Sequence, residues 1–240
     1  NHVPAELATL WNDLAQEFGE KGFAAFQGIA MLRLIGDFER RAASLKYSES
    51  IRQRFDYSLD RIVRSIDDAT FEKYKTQNDI LLKDLGICRQ KLIPTGSCVI
   101  EATWFHRALM TRGGLGQALG VAKALVECGG NGPFYEIHTH LSELEEYDGE
   151  GWDRSYARMG EMLELNPHIK GVWGGSWFYD PEIERVSPRL AYLRQRPQQR
   201  GAYVFFSSVD LDGGALSKSQ TRRDLYDQGK YLPKAYVIVW

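Results

Sequence analysis

Cysteine is scarce in this chain: Cys88, Cys98 and Cys128 are three in 240 residues, widely spaced. An odd count with no CxxC pair excludes a disulfide framework and a cysteine-based zinc site. Reduced, mostly buried thiols are the expectation. Long apolar runs are absent, since no stretch reaches the roughly 18 residues that span a bilayer. A basic excess is absent too: 30 basic and 32 acidic residues leave a formal charge of −2, which argues against a nucleic-acid partner. Arg194, Arg196 and Arg200 cluster locally and read as a solvated helix end. The first residues, from Asn1 to Glu6, lack a charged region followed by an apolar core, so no signal peptide and a cytoplasmic location are expected.

What is present is ordinary globular material, 43% hydrophobic, enough for a sizeable core without staples. Residues 1–86 read as a helical region. Pro4 suits a first helical turn, and Leu7, Leu10, Trp11, Leu14 and Phe18 recur on one face. Gly19 and Gly22 then punctuate the pattern. A second helical stretch covers 23–46, with Phe26, Ile29, Leu32 and Leu34. Ile51, Phe55, Leu59, Ile62 and Ile66 form an amphipathic stripe. Asp67 and Asp68 open a further turn, and Leu81, Leu82 and Leu85 end at Gly86, a C-cap candidate. The faces of these helices offer a surface for a homodimer.

The period changes over 87–240. A short extended run to Ile93, a turn at Pro94-Thr-Gly96 and a strand over 98–104 form a hairpin. Helices are predicted over 115–128, 152–165, from Ser187 to before Pro197, and over 221–227. Strands are predicted over 133–140, 169–179, 201–208 and 235–240. Alternating strands and helices predict an α/β (α+β) domain with a mixed central sheet behind an N-terminal helical region.

Four segments carry candidate chemistry. The turn Thr111-Arg-Gly-Gly-Leu-Gly116 follows a strand and opens a helix, and its glycines and first amides suit a phosphate. Leu119 spoils a Rossmann fingerprint there, and no Gly-Lys-Ser/Thr follows as a P-loop requires. On a strand, Glu136, His138 and His140 share one face, a group able to move protons or chelate a metal. Glu101 lies on the preceding strand as a further carboxylate. Trp173 and Trp177 share a strand face over 169–179, with Gly174 and Ser176 opposite, and such an aromatic wall suits a substrate.

Gly114-Leu115-Gly116, continued by Gln117-Ala118-Leu119, resembles the pyrophosphate turn of the acyl-CoA-dependent N-acetyltransferase (GNAT) superfamily. The likeness covers about 87–140. Thr111 stands at the family's Gln/Arg position, with Arg112 one place away. The resemblance implies a GNAT-like sheet and acyl-CoA as co-substrate. Thr111, Arg112, Gly113, Gly114, Gly116 and Gln117 would hold it, with no metal expected. It also implies an amine-bearing or similar small acceptor, Glu101 or Glu136 as base with help from His138, and Tyr226 as proton donor to the thiolate. His140, Trp173, Ser176 and Trp177 would line the substrate. Two other readings stay open: a metal-dependent hydrolase or oxygenase built on Glu136, His138 and His140, and a non-catalytic binding domain.

Overall fold

The computed structural model describes residues 5–41, 45–67, 79–106 and 108–240. The chain forms two compact units. The first holds residues 1–100, 139–147 and 154–165, and the second holds 101–138, 148–153 and 166–240. The turn expected at Asp68 and the helix start at Pro4 lie outside the described residues.

In the first unit, α1 spans Ala5–Gly36, α2 Glu49–Asp67 and α3 Asp79–Cys88. Within α1, Gly19 has φ 67° and ψ 173°, a conformation open to glycine, and it breaks the helical phase. The face predicted from Leu10 and Phe18, which precede this break, is not the buried one. Both are exposed, while Trp11, Phe23 and Met31 are buried. Phe26, Ile29 and Leu32 are exposed as well. The stripe on α2 is buried at Ile51, Phe55, Leu59 and Ile62, as its spacing requires. Gly86 does not cap α3, which runs on to Cys88. It is small for another reason: a Cβ there would stand 2.8 Å from the Leu92 side chain. Strand β1 (Ile93–Pro94) pairs antiparallel with β2 (Val99–Trp104), the predicted hairpin.

The second unit adds α4 (Leu109–Arg112), α5 (Gly114–Glu127) and β3 (Pro133–His138). Then come α6 (Gly149–Leu165), whose first residues belong here, and β4 (Val172–Ser176). Single-turn α7 (Ile183–Val186), α8 (Tyr192–Gln199) and β5 (Tyr203–Val209) follow. The last elements are α9 (Gly214–Ser217), α10 (Gln220–Asp227) and β6 (Lys234–Val239). The protein has a mixed α/β fold whose six strands run in the order β1-β2-β3-β4-β6-β5. β3 and β4 are parallel and are bridged by α6, and β6 is antiparallel to both β4 and β5.

One face of this sheet carries Phe134, Trp173, Phe205, Val237 and Val239, packed against Val121 and Ala124 of α5 and against Phe105 and Leu109. Each large side chain taken from water here stabilises by roughly 2 kcal/mol. Strand period two places Glu136 and His138 on the same face as Phe134. The apolar cluster therefore ends in titratable groups.

Candidate functional site

The end of β3 and its neighbour β2 bring three predicted residues together. His138 Nε2 lies 3.7 Å from Glu101 Oε2 and 3.9 Å from Glu136 Oε2. All three side chains are about a quarter exposed, so the group is reached by solvent from one side. Burial beside the apolar cluster pushes the Glu136 carboxyl up to about 7, and the negative charge of Glu101 adds to the effect. Near neutral pH, Glu136 is thus balanced between accepting and holding a proton, the condition that suits a general base. The β3–β4 register joins Tyr135 to Val172 and Glu136 to Trp173, and both strands run on past it. Glu136 is therefore the last residue of β3 paired in this parallel ladder, beside Trp173 near the start of β4.

Other predicted residues are placed elsewhere. His140 does not continue the β3 face, because β3 ends at His138. Its ring is fully buried in the first unit. Nδ1 accepts from the Ser142 N–H at 3.3 Å, which puts the proton on Nε2, 2.7 Å from Asp84 Oδ1. Both ring nitrogens are engaged, so the His138–His140 chelate is not formed. Among the described residues, no group of three His, Cys, Asp or Glu is arranged to hold a metal ion. No helix among them is long and apolar enough to cross a membrane. The three cysteines are free thiols.

Trp173 is a core residue, its ring edge-on to Phe105 at 5.7 Å. Trp177 shares no strand face with it. The strand stops at Ser176, whose hydroxyl accepts from the Phe178 N–H and starts a 3-10 turn over Trp177–Tyr179. Trp177 then lies under the Arg222 guanidinium at 4.2 Å. Tyr226 is on the exposed side of α10.

The glycine-rich turn at 111–117 is stitched to its own surroundings. Thr111 Oγ1 donates to the Ala108 carbonyl, and Arg112 donates to Ser207 Oγ at 3.0 Å. The Gln117 amide donates to Leu109 O and Phe206 O and accepts from the Phe206 N–H. Gly113 is required because a Cβ would meet the Gln117 side chain, and Gly114 has φ 74°. Gly116 stands open, with nothing near its Cβ position. Gln117 is thus committed to Phe206 rather than turned to a ligand.

Glycine-rich helix starts in nucleotide-binding α/β folds hold phosphates. Between β3 and β4 the crossover helix is α6. It opens with Gly149-Glu150-Gly151, where Asp148 Oδ1 accepts from the Gly151 N–H at 2.7 Å. Arg196 donates to the Gly149 carbonyl at 2.6 Å and reaches Asp153, which Arg200 also holds at 2.6 Å. Sequence reasoning missed this start. Its signal was a second Gly-x-Gly directly ahead of the predicted helix at Trp152.

No family model matches this sequence, and no curated protein matches it. Among solved structures, the chain is similar to an acyltransferase in complex with decanoyl-CoA. That likeness has 10% identity and a TM-score of 0.44, covering 91% of this chain and 75% of the other. It is also similar to an acyltransferase mutant bound to octanoyl-CoA, with 12% identity, a TM-score of 0.47, and 91% and 64% of the two chains covered. A third, in complex with CoA and 10C-teicoplanin, shows 12% identity, a TM-score of 0.42, and 88% and 75% coverage. With TM-scores below 0.5, these are distant likenesses.

Proposed function

We propose that this chain transfers an acyl group from acyl-CoA to an amine-bearing small acceptor, with Glu136 as the base. The observation that carries the reading is the Glu101–Glu136–His138 group at the end of the β3–β4 ladder, with the Glu136 carboxyl near 7. The solved acyltransferases named above bind decanoyl- or octanoyl-CoA. For this chain the reading rests on the strand-end chemistry and on the sequence resemblance.

Acyl-CoA, when bound, supplies a thioester carbonyl open to attack. The chain's own residues do the rest. Glu136 accepts the proton that an ammonium or amine acceptor must lose. Glu101 beside it raises the proton affinity of Glu136, and His138 lies within ion-pair distance of both. The start of α6, with Gly149, Gly151, Arg196 and Arg200, stands beside the turn at 111–117 as a second candidate for holding the diphosphate, and there Asp148 and Asp153 would have to give up their present partners. Acid–base assistance of this kind contributes about 10²- to 10⁴-fold to rate.

The test is acyl transfer from octanoyl-CoA to a panel of primary amines, followed by CoA release. Glu136→Gln is expected to lose about 10²-fold or more in kcat with no loss of thermal stability. The parent rate is expected to rise as pH passes through about 7. A Glu136→Gln variant as active as the parent, or a parent inert toward every acyl-CoA tried, removes the proposal.

A further inference from the structure

The first unit contains a cavity that the strand-end chemistry does not use. Its volume is about 340 Å³, and it is formed by the turn after α1, the face of α2 and the residue beyond α3. Its apolar wall is aromatic. Phe55, 1% exposed, is flanked by Phe38 and Tyr47, each with its ring centroid 5.1 Å away and tilted by 59° and 55°. Burial pushes the Tyr47 hydroxyl up to about 12, so the ring stays neutral and keeps its electron-rich face.

Acidic groups stand at the mouth. Glu39 comes from the turn after α1, and Glu49 and Asp56 from one face of α2, all three exposed at their outer ends. Two guanidiniums also line the space. Arg41 is committed elsewhere, donating to Cys88 O at 2.8 Å and Leu34 O at 3.2 Å. Arg52 lies between Glu49 and Asp56 on α2. Three carboxylates against two guanidiniums leave one negative charge in excess.

Gln90 closes the far side in a left-handed backbone conformation, φ 58°, that non-glycine residues seldom adopt. Its amide donates to Phe38 O at 2.7 Å, which ties the aromatic wall to the end of α3.

We propose that this cavity binds an organic cation: a primary or quaternary ammonium carried on a small apolar body. Ring faces attract a cation within about 6 Å, the carboxylates at the mouth match its charge, and the volume accommodates a guest of about ten heavy atoms. A cation with an aromatic or branched body uses both walls at once. This site stands on its own residues and is independent of the acyl-transfer reading.

Titration calorimetry with phenethylammonium, 2-phenylethanol and phenylacetate compares a cation, a neutral molecule and an anion of one shape. The cation is expected to bind about tenfold more tightly than the alcohol, and the anion not at all. In Glu49→Gln/Asp56→Asn, which alters only exposed side chains, the preference for the cation is expected to vanish while the melting profile stays. Phe38→Leu is expected to weaken the cation more than the alcohol. Equal binding of cation and alcohol, no heat from either at millimolar concentration, or an undiminished preference in the double variant overturns the proposal. Loss of cation binding in the double variant with acyl transfer intact separates this site from the strand-end group.

Discussion

Asp84 Oδ1 lies 2.7 Å from His140 Nε2, and both side chains are completely buried. The same carboxylate receives both terminal nitrogens of Arg61, which also reaches Glu143 at 3.0 Å. Ser58 Oγ donates to Glu143 at 2.7 Å. One buried network thus joins α2, α3 and the segment 139–147 within the first unit.

Asp84→Asn is expected to destabilise by roughly 3–5 kcal/mol, because Arg61 keeps its charge without its main partner. Burial alone would raise the Asp84 pKa, but the bonds from His140 and Arg61 together outweigh it and lower the value below the ordinary 3.8. A lowered carboxylate contributes its full stabilisation above pH 3.8 and loses it as pH falls through the folded value. Denaturant unfolding at pH 7 and at pH 3 checks both points. The gap between parent and variant should shrink in acid.

Glu136 carries the opposite sign. Its folded pKa, about 7, lies above the ordinary 4.5, so the unfolded chain ionises first as pH rises. Stability from this group is greatest below pH 4.5 and declines up to about pH 7. Glu136→Gln should therefore melt above the parent at pH 8, by about 3 kcal/mol at most, and match it near pH 4. A variant that melts lower at pH 8 contradicts the burial of this carboxylate.

Gln117 makes three hydrogen bonds through one amide. Gln117→Ala is expected to cost about 1–3 kcal/mol. Gln117→Glu should cost more at pH 7, since a carboxylate then faces the Phe206 and Leu109 carbonyls. Thermal melts across pH should show the two variants converge in acid.

The two glycine-rich starts can be told apart by charge. Gly116→Glu enters open space and should leave the KM for acyl-CoA within about twofold. Gly149→Asp places a carboxylate at the start of α6 and should raise that KM by about five- to thirtyfold. The reverse result returns the diphosphate to 111–117.

How much of this was legible depends on the range of the interactions. Strand period two, read along 133–140, put Glu136 and His138 on one face, whereas the placement of β2 and its Glu101 beside β3 was not read from the sequence. Period two is a local rule. His140 was misplaced because its partner, Asp84, lies 56 residues away and no short pattern announces it. Trp177 was misplaced because the strand ends at Ser176, three residues before the predicted end at Tyr179, where the Ser176 hydroxyl starts a 3-10 turn. On α1, Trp11 is buried while Leu10 and Phe18 are exposed, a choice of face that apolar spacing does not make. The role of Gln117 was hidden entirely, since a glutamine after Gly-x-Gly looks the same whether it meets a ligand or a strand.

That glutamine has one more consequence. β5 stands last in the strand order and would otherwise present main-chain donors and acceptors to any passing strand. Gln117 takes both the N–H and the carbonyl of Phe206, and the register shift between Phe206 and Ser208 kinks the strand just beyond. A side chain thus occupies the place where sheet growth onto another molecule would begin. Removing it should make the partly unfolded protein prone to strand-mediated association, besides making the fold less stable.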